Sequence, residues 1–402
     1  MKKSLIAVAA LAAVSAASAQ SSVTLYGLVD IGYASSKIET RDGLTSLRSR
    51  GLAEGSNAGN RIGFRGTEDL GGGLKANFVI EQAFSPTSND IFQRSGGSAQ
   101  AIPFATIDPA AAGVPVGYKT SFGTRLAPTN TNRQTYVGLS SATLGTFNIG
   151  YQYNIVYEIS TLSGYNIGAE GVPGADRAHQ FGQTYVGGTR ANNITYISPN
   201  FGGGFTVRAQ YGTANELRNN VSLASLPSIT NPAPLNVESR STRYGLMGQY
   251  INGPISAALG YTRLKGGAAT ATGASPVVTE GVARLTQLAG SYDFGVVKLA
   301  GSYNDGRNVA GGKLRAYQVG LSAPFGAIVP FVTFGRTKDD SIGTNGLKIE
   351  DSKQAQIGVR YNLSKRTLAY AIYGQTKDDA GNAASLASGK ETRTVVGVQH
   401  SF

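Results

Sequence analysis

The stretch Gly145-Thr-Phe-Asn-Ile-Gly-Tyr-Gln-Tyr153 decides the fold. In an extended chain successive side chains point to opposite faces, so Phe147, Ile149, Tyr151 and Tyr153 share an apolar face and Thr146, Asn148, Gly150 and Gln152 a polar one. The pattern recurs along the chain. Phe205, Val207, Ala209 and Tyr211 oppose Thr206, Arg208 and Gln210; Tyr244, Leu246 and Tyr250 oppose Arg243, Gly245 and Gln249; Val396, Val398, His400 and Phe402 oppose Arg393, Gly397, Gln399 and Ser401. A soluble β-sandwich would alternate in the same way, so the connections must arbitrate. Short ones fall at 69–73, 142–145, 200–204, 252–254, 293–295, 324–326 and 363–365. Long polar ones fall between them, at about 36–59, 84–132, 154–190, 213–241, 265–283, 305–312, 337–352 and 378–391. Strict alternation of short and long connections is the mark of an up-and-down barrel with one plain rim and one decorated rim. Eight long and seven short connections join sixteen strands, which predicts an all-β, 16-stranded antiparallel transmembrane β-barrel with a lumen wide enough for water.

Composition agrees. The 402 residues include 54 Gly, and only 15% are charged, as expected of a wall that must face lipid on one side. Met1-Lys2-Lys3, the apolar run Leu5 to Val14 and Ala17-Ser18-Ala19 form the pattern of a signal peptide over 1–19, leaving 20–402 as the barrel. The excess of Lys and Arg gives +12 for the whole chain, and removal of Lys2 and Lys3 lowers it to +10. No later stretch approaches the length of a helical span. There is no Cys, and the two histidines are His179 in a long connection and His400 on a lipid-facing position, a poor basis for a hydrolytic site. Basic residues are dispersed without a recognition motif, which argues against nucleic acid. Gly71-Gly-Gly73 reads as a turn between strands, and neither a metal-ligand spacing nor a cofactor motif is present. Tyr26, Tyr153, Tyr211, Tyr303, Phe325 and Phe402 lie near strand ends, where an aromatic girdle is expected.

Several longer stretches carry a resemblance: Ser22-Val-Thr-Leu-Tyr-Gly-Leu-Val-Asp30, Asn60-Arg-Ile-Gly-Phe-Arg-Gly-Thr-Glu-Asp-Leu-Gly-Gly-Gly-Leu-Lys-Ala76, Asn132-Arg-Gln-Thr-Tyr-Val-Gly-Leu-Ser-Ser141, Tyr196-Ile-Ser-Pro-Asn-Phe-Gly-Gly-Gly204 and Gly397-Val-Gln-His-Ser-Phe402. Together they resemble the general trimeric porins of Gram-negative outer membranes, in particular the β-proteobacterial branch. The resemblance implies a homotrimer in the cell outer membrane, surrounded by lipid and lipopolysaccharide, that passes small hydrophilic solutes by passive diffusion. It implies that the third long loop, 154–190, folds into the pore, and that the terminal Phe402 is read by the barrel assembly machinery. Family second loops latch onto a neighbouring subunit; here the 84–132 loop is long and partly apolar, and it could equally cap the mouth. A channel selective for one solute class, with a saturable site in its lumen, is the alternative reading.

By motif position Arg61, Arg133 and Arg190 resemble the basic residues with which these porins line the wall opposite the third loop. For Arg61 the alternation agrees independently: Ile62 and Phe64 turn to lipid while Arg61 and Arg65 turn to the lumen, where charge is tolerated. Arg133 and Arg190 stand at strand starts, where a one-residue slip reverses the face, and each could instead be salt-bridged or anchor a loop. Lys75 and Glu81 share an inward face and could neutralise neighbours. The third loop lacks the Pro-Glu-Phe-Gly-Gly run of enterobacterial relatives and carries only Glu158, Glu170 and Asp176 as acids. A weakly acidic loop before an arginine wall is expected to favour anions.

Overall fold

The computed structural model describes residues 22–40, 46–87, 132–163, 167–174, 186, 188–221, 235–272, 275–308, 311–342, 348–378 and 389–402. The expected signal peptide, most of the second loop, and Asp176 and His179 of the third loop lie outside them. The described residues form one antiparallel sheet of seventeen segments: β1 (Ser22–Thr40), β2 (Ser46–Glu54), β3 (Arg61–Gly71), β4 (Leu74–Ala83), β5 (Asn132–Ser141), β6 (Gly145–Tyr153), β7 (Arg190–Ile197), β8 (Phe205–Val221) and β9 (Leu235–Asn252) come first. The circuit continues through β10 (Ile255–Thr272), β11 (Ser275–Asp293), β12 (Lys298–Arg307), β13 (Lys313–Ser322), β14 (Ile328–Ile342), β15 (Lys348–Asn362), β16 (Thr367–Asp378) and β17 (Gly389–Ser401), which pairs with β1 and closes the ring.

Seventeen segments make sixteen barrel strands because the second strand is split. β1 pairs with β2 through Ile31–Glu39 and with β3 through Ser22–Leu28. Between the two halves, residues 55–60 leave the ladder. The expected first long connection, 36–59, is therefore mostly sheet. The connections placed at 213–241, 265–283, 337–352 and 378–391 are corrected in the same direction: β10 and β11 stay paired as far as Thr272 and Ser275. Sequence alternation shows where a strand meets hydrocarbon, whereas hydrogen bonding between strands continues into water with polar side chains on both faces. The short connections stand where expected. Gly71, Gly72 and Gly73 have φ of 83°, 60° and 78°, a left-handed run that a side chain would strain.

Alternation about the wall is regular. Val23, Leu25, Val137, Leu139, Phe147, Ile149, Leu259, Leu288, Val396 and Val398 are all exposed on the outer face, as a lipid-facing band requires. Tyr211, Tyr303, Phe325 and Phe402 are exposed, as an aromatic girdle requires. It is corrected for Tyr26 and Tyr153, which take part in a polar network inside the barrel.

Closure is completed by the last residue. Phe402 N–H donates to Gly27 O at 3.1 Å, and Gly27 N–H donates to Phe402 O at 3.0 Å. A Cβ on Gly27 would overlap the Phe402 ring, so the glycine makes room for it. Deleting Phe402 should lower the yield of folded barrel in the outer membrane while leaving the conductance of assembled channels near wild type. Quantifying heat-modifiable protein in membranes and single-channel currents checks this, and wild-type yield would contradict it.

Candidate functional site: a loop strapped across the lumen

The third loop leaves the wall after Tyr153, turns through the short helix α1 (Ile155–Ser160) and returns at Arg190. Its neck is tied by side chains from adjacent strands. Gln210 accepts from Ile155 N–H at 2.8 Å and donates to Tyr153 O at 2.8 Å, and Asn193 donates to Asn154 Oδ1 at 3.0 Å. The apolar face of α1 packs on the inner wall, with Ile155 and Ile159 against Met247, Ala258 and Ala289. Gly245 and Gly260 form the bay beneath the helix, since a Cβ on Gly260 would overlap Ile159. Val156 and Val186 pack against Ala283, Leu285 and Leu314.

Residues 167–174 reach the far wall. Backbone taken out of a sheet must find new hydrogen-bond partners, and wall side chains supply them. Arg360 donates to Ile167 O at 2.8 Å, to Gly168 O at 2.7 Å and to Asn57 Oδ1 at 2.8 Å. Gln356 donates to Ala169 O at 3.1 Å and Val172 O at 2.6 Å, and accepts from Ala169 N–H. Arg393 donates to Gly171 O at 2.6 Å, and Arg243 to Val186 O at 3.3 Å. Ile167, Ala169 and Val172 are buried in a cluster with Phe331, Tyr370, Ile372 and Val395.

The split in the second strand belongs to the same device. Residues 55–60 turn inward onto Asp30, a fully buried carboxylate that accepts from Asn57 N–H at 2.6 Å, Ala58 N–H at 2.8 Å and Tyr370 Oη–H at 2.5 Å. The turn then presents its own carbonyls to the loop: Gly171 N–H donates to Ser56 O at 3.0 Å and Glu170 N–H to Asn57 O at 3.3 Å.

Arg133 and Arg190 come together at the loop's root, joined through Tyr153 to Glu81. Arg133 Nε lies 2.6 Å from Glu81 Oε1, Tyr26 Oη donates to Glu81 Oε2 at 3.0 Å, and Arg133 also donates to Tyr153 Oη at 2.9 Å. Arg133 is only 5% exposed, so it is a bonded strut, the salt-bridged alternative for this residue. Arg190 donates to Tyr153 Oη at 3.0 Å and its guanidinium lies 4.5 Å from that ring. Tyr153 in turn stacks on Tyr157 of α1 at 4.1 Å. Burial, with Tyr153 and Glu170 nearby, pushes the Tyr157 hydroxyl above its ordinary range and keeps it neutral.

Arg61 is half-buried on the inner face, opposite Leu28 and Ala83. Arg65 lies on the same face, about 13 Å further toward the short turns, exposed, its guanidinium 5.3 Å from the Tyr26 ring. Lys75 is further still, paired opposite Asp69 beside the turn and away from the loop. Glu158 pairs at 2.8 Å with Arg208 of β8. Glu170 accepts from Gly59 N–H at 3.2 Å. Sequence reading singled out neither Arg208 nor the anchors Asp30, Gln356, Arg360, Arg393 and Tyr370 as site residues; the anchors' partners lie as far as 340 residues away along the chain, so no local motif marks them.

The sequence profile of a family described as Gram-negative porin matches residues 7–381. The chain is 33% identical over 420 residues to outer membrane porin protein 32 of Delftia acidovorans, and 30% identical over 454 residues to an outer membrane porin protein of Bordetella pertussis, in each case across the full length of both. Among solved structures it is similar to an anion-selective porin from Comamonas acidovorans, with TM-score 0.65, 24% identity, and coverage of 95% of this chain and 100% of the other. The trimer form of OmpT from Vibrio cholerae aligns with TM-score 0.60 at 12% identity, covering 95% of this chain and 99% of the other.

Replacing Arg360 by Ala removes three donors from the loop and its support. Single-channel records of Arg360→Ala should show more frequent current fluctuations than wild type, with the barrel still heat-modifiable. Quiet wild-type currents would mean that the loop does not depend on this residue.

Proposed function

The chain belongs to the Gram-negative porin family, outer-membrane barrels that form passive channels for small hydrophilic solutes, and on that premise we propose that this pore works as a homotrimer and favours anions. The observation that carries the preference is an imbalance of partners around the strapped loop. Its carboxylates are committed: Glu81 to Arg133, Glu158 to Arg208, Asp30 to two backbone amides and Tyr370, and Glu170 to the Gly59 amide. Among the described residues, Arg61, Arg65 and Arg190 have no carboxylate partner. Glu81 and Glu158 are cancelled by arginines, Asp30 and Glu170 keep their charge on neutral donors, and the arginines without a carboxylate outnumber these two acids, which offers a positive local potential to a permeating ion. The solved Comamonas porin described as anion-selective supports the same reading.

Range decides which charges count. At ~0.15 M salt the Debye length is ~8 Å, so a charge at the narrow part of the lumen is felt and one behind the wall is screened. Arg61→Glu reverses an inner charge and should move the reversal potential in a KCl gradient toward cation preference, with the assembly intact. Lys377→Glu changes an exposed residue on the outer face of β16 and should move it much less. Equal shifts at the two positions would overturn the assignment to the inner arginines, and current closures that never group in threes would overturn the trimer.

A further inference from the structure

Below the strapped loop, toward the short turns, the inner wall carries a recess that the path of an ion does not account for. Asn77 of β4, Gly138 of β5 and Asn148 of β6 stand directly opposite one another on three hydrogen-bonded strands. Gly138 leaves open the space that a side chain would fill, and both carboxamides lean into it. A Cβ there would lie 2.8 Å from Asn77 Oδ1 and would overlap Asn148 Oδ1. Asn148 is only 7% exposed, yet its Oδ1 has no hydrogen-bond partner among the described residues. Two carbonyl dipoles aimed at one point repel each other, and a buried acceptor without a donor is costly. The arrangement calls for a donor between them.

The surroundings select the donor. The recess has a volume of about 300 Å³, at the small end of solute sites and too small for an oligosaccharide. Thr24, Thr67 and Tyr136 bring hydroxyls to it, and no carboxylate lines it among the described residues. Arg65 lines it as well, exposed, with its guanidinium 5.3 Å from the Tyr26 ring. Arg65 is opposite Val79, two residues from Asn77 along β4, a diagonal of roughly 7–8 Å that a small solute can bridge. Carbonyl oxygens at one end repel an anion, and a guanidinium at the other repels a cation. A zwitterion satisfies both. We infer that the recess binds a small α-amino acid with an uncharged side chain. Its ammonium donates to Asn77 Oδ1 and Asn148 Oδ1, with a third N–H left for a hydroxyl, and its carboxylate accepts from the Arg65 fork. Such a solute has no net charge, so the site acts beside the anion preference and not through it.

The test uses the full chain purified in detergent at neutral pH, and measures binding of L-alanine, lactate and alaninamide by ligand-observed nuclear magnetic resonance. Lactate keeps the carboxylate and lacks the ammonium; alaninamide keeps the ammonium and lacks the carboxylate. L-Alanine should bind saturably in the millimolar range, and each of the other two about tenfold or more weakly. Asn148→Leu and, independently, the less buried Asn77→Leu should each weaken L-alanine binding by about tenfold. Both should stay heat-modifiable and keep the wild-type reversal potential in KCl. Arg65→Gln should bring L-alanine down to the affinity of alaninamide, and Lys365→Gln/Arg366→Gln, on an exposed short turn, should change nothing. Equal binding of lactate would make the recess an anion site, absence of saturation would leave it to water, and wild-type affinity in both Asn variants would place the solute elsewhere; each result overturns the inference. Binding is read directly, so failure of this site and failure of the anion preference are separate outcomes.

Discussion

Every backbone amide and carbonyl that leaves a sheet must be hydrogen-bonded again, and in this barrel that requirement falls on a loop crossing the lumen. The wall answers with Arg243, Gln356, Arg360 and Arg393, whose donors end on loop carbonyls, and with a turn at 55–60 cut out of the second strand and fixed on Asp30. Remove the requirement and the split strand, the buried aspartate and the inward-facing arginines lose their common reason. Arginine suits the task because one planar group with five donors can serve several carbonyls at once, as Arg360 does.

The same choice has an electrostatic consequence. A carbonyl satisfies an arginine's hydrogen bonds without cancelling its charge. Where carboxylates do occur in the lumen they are drawn into local bonds, such as Glu81 with Arg133 and Tyr26. Holding the loop and the proposed bias of the pore toward anions are thus two results of one arrangement.

Much of the architecture was legible because a two-residue period is local. The inward placement of Arg61, Lys75, Glu81, Arg208 and Gln210 followed from alternation, and the short connections from their glycines and prolines. What the pattern could not show was how far strands extend beyond hydrocarbon, since polar residues pair in a ladder as readily as apolar ones. Tyr26 and Tyr153 were misplaced for a related reason: a tyrosine near a strand end suits a headgroup girdle as well as a lumenal hydrogen bond, and only Glu81 and Arg133, 55 and 20 positions from them respectively, distinguish the two. Arg133 was read by motif position as a pore-facing charge, and its bond to Glu81 is what favours the salt-bridged alternative. The anchors of the loop were invisible because Asp30, Gln356 and Arg360 are ordinary polar members of inward faces, given meaning by partners that only closure of the barrel brings near.

The central claim is that the strapped loop leaves a net positive lumen. Its most direct test is the zero-current potential of the unmodified channel in a planar bilayer under a KCl gradient. The account predicts a potential with the sign of chloride preference, larger at low ionic strength, where the inner arginines are least screened. A potential with the sign of potassium preference would contradict it.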